Sequence, residues 1–245
     1  MTVPVHTGSR GTRVLGCLAT AGIASLLLFG LVLSPEDVDQ ADAVRLMYIH
    51  VPSAIIAYLA FFVTAAGSIG WLWKRSQWWD LVAAGSAEIG TLFTGVTLLT
   101  GMAWGKPIWG TFWTWDARLT STALLFLMFL GYVAVRRLGY EPAVRNRRSA
   151  FVALIAVLDV PIVHYSVDWW RGLHQQATIS RLDPTIDGLM LFTLMLGIAV
   201  FGLVYLWLLV HRFRVGWLED QAEARWLGQA IEERRAEASA TVEVH

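Results

Sequence analysis

Hydrophobic residues along this chain fall into six long runs that are separated by shorter polar connections. A helix that crosses a bilayer needs about 20 mostly apolar residues. Runs near that length lie at Val14–Leu33, Val51–Trp73, Leu81–Ala103, Leu119–Val135, Ser149–Val167 and Gly188–Val210. The pattern predicts an all-α, polytopic integral membrane protein with six transmembrane helices. The first run is too long for the apolar core of a signal peptide, so we expect it to be retained as an anchor.

The C-terminal part of the chain is more polar and carries a different pattern. Its apolar residues recur every four positions, at Leu218, Ala222, Trp226 and Ala230. This spacing is typical of an amphipathic helix that lies on a membrane or packs on a partner. We therefore expect a six-helix membrane domain over residues 1–210 and a cytoplasmic amphipathic tail over residues 211–245.

Composition agrees with a membrane protein and excludes several other classes. Of the 245 residues, 56% are hydrophobic and only 16% are charged, whereas soluble domains carry about 25% charged residues. Nineteen basic residues balance nineteen acidic residues, so no net charge favours nucleic acid as a partner. A single cysteine, Cys17, excludes an internal disulfide, a cysteine zinc cluster and the C-x-x-C-H motif by which c-type cytochromes attach haem.

Basic residues predict which way the six helices face. Fourteen of the nineteen lie in the N-terminus, the second and fourth connections and the C-terminal tail, and the remaining five are Arg45, Lys106, Arg118, Arg171 and Arg181. Connections rich in lysine and arginine stay in the cytoplasm. We therefore expect both termini to be cytoplasmic and loops 34–50, 104–118 and 168–187 to face outward.

The third connection is rich in tryptophan. Twelve residues contain Trp104, Trp109, Phe112, Trp113 and Trp115. Tryptophan favours the membrane–water boundary, which accounts for part of this set, but the concentration in one loop also suggests a platform for a large, flat, apolar ligand. We expect a short surface helix that begins at Pro107 and places Trp109, Phe112 and Trp113 on one face.

Two histidines lie in the outward loops on either side of this tryptophan-rich connection. His50 lies just before Pro52 and is expected in the first turn of the second helix, and His174 lies in the third outward loop. Two imidazoles on opposite faces of a macrocycle are a standard way to hold haem iron. His164 follows Pro161 inside the fifth run, and we expect it to bond a backbone carbonyl that the proline leaves free.

Charged residues near these loops allow more than one interpretation. Arg118 is expected to bind a haem propionate, and the alternative is an ion pair with Asp116 or contact with a lipid phosphate. Glu88 and Asp159 lie deep in predicted helices, where a carboxylate is costly and normally faces the bundle interior. Whether these two acids are structural or line a channel stays open from the sequence.

The motifs around the tryptophans resemble a known family. The segment Trp109-Gly-Thr-Phe-Trp-Thr-Trp-Asp116 is similar to the tryptophan-rich motif of the haem-handling proteins of cytochrome c maturation. The segments Tyr48-Ile-His-Val-Pro52, Ala117-Arg-Leu-Thr-Ser121, Pro161-Ile-Val-His-Tyr-Ser-Val-Asp-Trp-Trp170 and Leu173-His-Gln175 narrow the resemblance to the haem exporter protein C family, over roughly residues 14–210.

This resemblance implies a function, a cofactor and a set of partners. It implies a bacterial inner-membrane protein that holds haem b on its periplasmic side and passes it to a periplasmic haem chaperone. It assigns the axial iron ligands to His50 and His174, and it assigns haem contacts to Trp104, Trp109, Trp113, Trp115, Asp116 and Arg118. The implied partners are the chaperone, a small single-helix membrane subunit, the ATPase and permease subunits of the same complex, and membrane lipid. The chain itself is expected to bind and transfer haem rather than to act as an enzyme, and the alternative is that it promotes covalent attachment of haem to the chaperone.

Two other functions remain as alternatives. A membrane cytochrome b, as a redox subunit, usually buries paired histidines at membrane depth, whereas His50 and His174 occupy surface positions. The permease subunit of an ATP-driven exporter predicts polar residues along several helices, whereas here only Glu88 and Asp159 lie deep. Both features disfavour the alternatives without excluding them.

Overall fold

A computed structural model describes residues 8–139, 141–174, 186 and 188–243. Within these residues the chain forms seven α-helices and no strand. The helices are α1 (Arg10–Leu28), α2 (Met47–Lys74), α3 (Gln77–Trp109), α4 (Ala117–Arg137), α5 (Pro142–Ala156), α6 (Asp159–Trp169) and α7 (Gly188–Glu243). A π-helical turn at Phe29–Leu33 extends α1, and a 3₁₀ turn at Asp42–Leu46 leads into α2.

Six helical segments of the described chain are long and apolar enough to cross a membrane, which confirms the prediction of an all-α protein with six spans. Their bounds are Arg10–Leu33, Asp42–Lys74, Gln77–Trp109, Ala117–Arg137, Pro142–Trp169 and Gly188–Ala236. Each segment includes one of the predicted hydrophobic runs, because the length of apolar sequence needed to span the bilayer is fixed by its thickness.

The fifth span consists of two helices rather than one. α5 ends at Ala156, and α6 begins at Asp159. Pro161 has no N–H group, so it cannot donate to the carbonyl of Val157, four residues earlier. That carbonyl accepts instead from the backbone N–H of Val160 at 3.1 Å, which tightens the chain at the junction.

The core of the bundle lies between α2, α3 and α4. Gly90 of α3 faces Phe61 of α2, and a Cβ atom at Gly90 would lie 2.7 Å from the Phe61 ring. On its other side, Phe61 stacks on Phe129 of α4 with ring centroids 3.6 Å apart. α7 joins the same core through Ser86, whose hydroxyl donates to the Ala60 carbonyl and lies 2.8 Å from the hydroxyl of Tyr205.

Of the two acidic residues deep in the bundle, Glu88 has a hydrogen-bond partner. One carboxylate oxygen of Asp159 has none among the described residues. Arg212 of α7 donates to both carboxylate oxygens of Glu88, at 2.5 and 3.0 Å. Glu88 is therefore part of an ion pair between α3 and α7. Asp159 lies in the first turn of α6, and its Oδ2 is buried without a hydrogen-bond partner in the described part of the chain.

The last span and the C-terminal tail form one helix. α7 runs for 56 residues from Gly188 to Glu243, so the structure joins two segments that the hydropathy pattern separates near Val210. Beyond the bundle the side chain of Trp226 is 65% exposed, and Leu227 and Ile231 are also exposed. That the tail rests on a membrane or a partner therefore stays a prediction.

Helix direction brings the candidate residues together. Consecutive spans run antiparallel, so the start of α2, the end of α3, the start of α4 and the end of α6 lie at one end of the bundle. These four helix ends carry His50, Trp104, Trp109, Asp116 and Arg118, with His174 in the segment that follows α6. The concentrated arginines lie at the opposite end.

Candidate haem site

His50 lies in the first turn of α2, as predicted, and its imidazole rests on α3. The Nδ1 atom is 3.0 Å from the carbonyl oxygen of Thr97 and 3.2 Å from the hydroxyl of Thr100. Gly101 makes this contact possible, because a Cβ atom there would lie 2.8 Å from the His50 ring. A carbonyl oxygen only accepts hydrogen bonds, so Nδ1 carries the proton and Nε2 keeps its lone pair.

His174 is held in the same manner by a different partner. Its Nδ1 atom lies 3.0 Å from Oδ2 of Asp116. The Asp116 carboxylate is itself fixed, because it accepts from the backbone N–H of Leu119 at 2.8 Å, as the N-cap of α4, and from the hydroxyl of Thr114 at 2.9 Å. Bonding of Nδ1 to the carboxylate leaves the lone pair on the Nε2 of His174. This is the second-sphere arrangement that orients metal-binding histidines.

The surroundings of His174 favour its neutral form. Burial lowers the pKa of His174 below its ordinary value, the positive charge of Arg118 lowers it further, and Asp116 raises it through its charge and hydrogen bond. The net effect is a lowered pKa, so the imidazole is uncharged at neutral pH. A neutral imidazole is the form that coordinates a metal.

His50 and His174 both contact the C-terminal end of α3, although they come from different segments of the chain. His50 packs on Trp104, and His174 packs on Trp109. The sequence predicted two outward histidines that flank the tryptophans, and the structure places each of them against a different tryptophan at this helix end. Residues 175–185 and 187 of the third outward loop lie outside the described residues.

Each imidazole contacts its own tryptophan. The ring of Trp104 meets His50 edge to face with centroids 5.7 Å apart, and its indole N–H donates to Gln40 at 2.9 Å. Trp109 meets His174 in the same way at 4.6 Å. Both tryptophans belong to the last turns of α3, so this helix end supports both histidines.

The expected surface helix that begins at Pro107 is wrong. α3 continues through Pro107 to Trp109 and ends at Gly110, whose φ of +74° is a left-handed conformation that suits glycine. A proline in the last turn removes only one helical hydrogen bond, so it does not stop α3 earlier. Residues 111–116 are not helical, and Trp109, Phe112 and Trp113 therefore share no helix face.

The remaining tryptophans extend the site toward its open side. Trp113 packs edge to face on Trp115 with centroids 5.5 Å apart. The indole nitrogen of Trp113 is buried and has no hydrogen-bond partner in the described residues. Trp115 is 83% exposed, and Phe112 is exposed as well. An exposed indole beside a buried unsatisfied donor is suited to cover a flat apolar ring that carries polar groups.

Arg118 does not form the alternative ion pair with Asp116 in the described structure. One terminal nitrogen of its guanidinium donates to the carbonyl oxygen of His164 at 2.9 Å, and its Nε is buried without a partner. Buried donors nearly always have partners in native proteins. The unsatisfied N–H groups of Arg118 and Trp113 fit a ligand with carboxylates, as haem has.

His164 contributes its main chain rather than its side chain. Its imidazole is exposed and meets Tyr165 edge to face at 4.9 Å. The expected bond from this imidazole to a freed backbone carbonyl does not occur among the described residues. The carbonyl of His164 instead anchors Arg118.

Four residues that position the site carried no sequence pattern that pointed to it. Thr97 and Gly101 are spaced by one helical turn, which places them on one face of α3. Nothing in that spacing indicates that the face receives His50. The contacts of Thr100 with His50 and of Gln40 with Trp104 likewise join residues that are far apart in sequence.

Comparison with known proteins identifies the family of the chain. The model of the family described as Heme exporter protein C matches residues 5–228. The chain is 41% identical over 197 residues to "Heme exporter protein C" of Bradyrhizobium diazoefficiens, covering 79% of this chain and 74% of the relative. It is 36% identical over 221 residues to "Heme exporter protein C" of Escherichia coli strain K12, covering 89% of each.

A plant relative extends the similarity to mitochondria. The "Putative cytochrome c biosynthesis ccmC-like mitochondrial protein" of Marchantia polymorpha is 37% identical over 178 residues, covering 73% of this chain and 75% of the relative. The family model includes every described site residue, and each of these relatives aligns with more than two thirds of the chain. The chain therefore belongs to the Heme exporter protein C family, multi-pass membrane proteins with a role in haem handling for cytochrome c maturation.

Proposed function

We propose that this protein binds haem b between His50 and His174 and transfers it to a periplasmic haem chaperone during cytochrome c maturation. One observation carries the proposal: both imidazoles are anchored through Nδ1, to a carbonyl and to a carboxylate, and both keep Nε2 for a ligand. An anchored Nδ1–H fixes the tautomer and the direction of the metal-binding nitrogen. Two such histidines from separate segments suit an iron macrocycle better than they suit a structural role.

The two anchors differ in charge, and this difference suits a site that must release its cargo. The carboxylate of Asp116 makes His174 the stronger electron donor, whereas the neutral Thr97 carbonyl makes His50 the weaker one. We propose that the iron bond to His50 yields first when the chaperone supplies its own ligand. The ring would then leave from the open side, where Trp115 is exposed.

Haem carboxylates and the ring face have their own partners in this proposal. Arg118 binds a propionate through the guanidinium N–H groups that His164 does not use, since a guanidinium pairs with carboxylates through parallel hydrogen bonds. The indoles of Trp104 and Trp109 pack beside the imidazoles, and Trp113 and Trp115 cover the ring edge. Asp116 acts as a positioning residue for His174 rather than as a direct contact.

The cellular setting of the proposal follows from the family and from the distribution of basic residues. We propose a bacterial inner-membrane location with both termini in the cytoplasm and the haem site on the periplasmic side. The proposed partners are the chaperone, a small single-helix subunit and an ATPase–permease pair. The part of α7 from His211 to Glu243, which extends from the basic end of the bundle, is a candidate contact for the cytoplasmic partners.

The test is a haem titration of the purified protein, followed by absorption and electron paramagnetic resonance spectra. The wild type should give a six-coordinate, low-spin ferric spectrum. His50→Ala and His174→Ala should each shift it toward high spin and release haem more readily, because one axial position is then left to water. Added free imidazole should partly restore the low-spin signal in both variants.

His164→Ala is the matched control, because His164 lies at the same end of the bundle and its imidazole is exposed. This variant should keep the low-spin spectrum of the wild type. Loss of that spectrum in His164→Ala, with its retention in His174→Ala, would refute the ligand assignment. A purified protein that binds no haem at all would instead favour the permease alternative.

A further inference from the structure

A polar cavity lies at the opposite end of the bundle from the histidines. It has a volume of about 380 Å³ and lies between α3, α4, α5 and α7. Its charged lining includes Arg137, Arg145, Glu219 and Asp220, together with the ion-paired Glu88, Arg136 and Arg212. A volume above about 300 Å³ is within the range of small-ligand sites.

Two arginines in the wall of this cavity, Arg136 and Arg212, are held in bidentate ion pairs. Arg136 donates to both oxygens of Asp80 at 2.7 Å each, and Arg212 donates to both oxygens of Glu88 at 2.5 and 3.0 Å. Bidentate pairs of this kind are strong and geometrically specific. The charges of Arg136, Arg212 and Glu88 in the cavity wall are therefore already balanced within the protein.

The other two cations have spare donors. Arg137 is exposed and has no ion-pair or hydrogen-bond partner among the described residues. Arg145 donates to the side chain of Asn146 at 3.0 Å and reaches Asp80 only at 4.0 Å. Guanidinium groups with free N–H groups at a membrane boundary are suited to bind a phosphate.

The other wall of the cavity is acidic. Glu219 is 64% exposed and meets Arg212 only at 3.5 Å, and Asp220 has one oxygen bonded to Gln77. Each carboxylate therefore has acceptor capacity for a further donor. The cavity thus presents two available cations on α4 and α5 and two available anions on α7, which together favour a zwitterion over a simple anion.

The position of the cavity at the ends of the membrane spans indicates that such a zwitterion is the headgroup of a membrane lipid. Arg137 is the last residue of one span and Arg145 lies in the first turn of the next, and on α7 the residues from Arg212 to Asp220 follow the end of the apolar run. Apolar groups of Leu81, Ala84 and Val133 also line the cavity. A ligand held here has its polar part at the membrane boundary and its apolar part toward the hydrocarbon.

We propose that this cavity binds the headgroup of phosphatidylethanolamine, with the phosphate on Arg137 and Arg145 and the ammonium on Glu219 and Asp220. The primary ammonium of this lipid donates three hydrogen bonds, whereas the quaternary ammonium of phosphatidylcholine donates none. Phosphatidylglycerol has the phosphate but no cation for the acidic wall. The bound lipid joins α4 and α5 to α7 at the basic end of the bundle.

The test measures lipid binding to the delipidated, haem-free, full-length protein by native mass spectrometry and thermal denaturation. The three lipids, with identical acyl chains, are compared with inorganic phosphate. Phosphatidylethanolamine should bind most tightly and raise Tm the most. Arg137→Gln should weaken the binding of phosphatidylethanolamine roughly tenfold, which is the smallest loss of affinity expected when a hydrogen bond to a charged group is removed. Glu219→Gln combined with Asp220→Asn should remove the preference over phosphatidylglycerol.

Arg225→Gln and Glu223→Gln are the matched controls, because both lie in the exposed tail part of α7 outside the cavity. Both should bind the three lipids as the wild type does. Equal binding of the three lipids by the wild type would overturn the proposal. So would equal stabilisation by inorganic phosphate alone, or cavity variants that match these controls.

Discussion

The imidazole of His50 lies directly on the backbone of α3 at Gly101, where a Cβ atom would be 2.8 Å from Cε1 and 3.3 Å from Nδ1 of the ring. Real Cβ atoms do not approach another atom so closely, so any side chain at Gly101 must displace His50. The hydrogen bond from Nδ1 to the Thr97 carbonyl depends on the same close approach. Gly101 thereby sets the direction of a proposed iron ligand.

Gly101→Ala should lower haem affinity roughly tenfold or more, which is the lower end of what loss of a second-sphere contact costs. The physical reason is that the added methyl group pushes the ring off the Thr97 carbonyl and misdirects Nε2. The measurement is a haem titration together with the low-spin fraction of the bound form. Gly95→Ala is the control on the same helix, because its Cβ would meet Phe126 only at an ordinary 3.4 Å. Equal affinities in the two variants would refute the positioning role of Gly101.

The protonation of His174 gives a prediction about pH. Because burial lowers its pKa, the imidazole in the haem-free protein should titrate below its ordinary value of 6.5. The unfolded state then binds a proton that the folded state does not, so stability should fall as the pH drops below 6.5. The titration is read from NMR spectra of the protein with isotopically labelled histidine. A midpoint at or above 6.5 would contradict the described burial of His174.

Asp116→Asn separates the electrostatic role of Asp116 from its role in capping α4. Asparagine keeps an oxygen acceptor for the backbone N–H of Leu119, so α4 should still begin normally. Loss of the negative charge removes a contribution that raises the pKa of His174, so its midpoint should move further down. Haem affinity at pH 7.5 should fall roughly 10- to 100-fold, because the donor strength of the imidazole declines. An unchanged midpoint would show that the carboxylate does not act on His174.

Trp115 and Trp73 form a matched pair that separates a haem contact from general membrane anchoring. Their exposed fractions are nearly equal, 83% and 80%, but they lie at opposite ends of the bundle. Trp115→Ala should reduce haem affinity roughly two- to tenfold, as expected for the loss of one aromatic contact. Trp73→Ala should leave haem binding unchanged. Equal losses in both variants would assign the tryptophans to the membrane interface.

The orientation of the bundle is testable with fusions. A reporter that is active only outside the cytoplasm should work when it is fused after Asp116 and fail when it is fused after Arg145. The physical reason is the retention of arginine-rich connections in the cytoplasm. The reverse result would place the histidine end in the cytoplasm and overturn the proposed delivery to a periplasmic chaperone.

Much of the fold follows from the sequence because its causes are local. Each apolar run had to become a span, since an unpaired backbone is too costly in hydrocarbon. The N-cap at Asp116 and the proline at 161 also act on their own neighbours along the chain. The resemblance of the tryptophan motif to its family rested on consecutive residues and is confirmed by the family match.

Only the tertiary structure decided how the site is held. The Nδ1 atom of His50 bonds to Thr97, 47 positions away in sequence, and that of His174 bonds to Asp116, 58 positions away. Both contacts depend on how the helices pack. The same packing pairs Glu88 of α3 with Arg212 of α7. The sequence determined which side chains are available, and packing between distant helices determined which imidazole nitrogen stays free, because hydrogen-bond partners are set by distance in space.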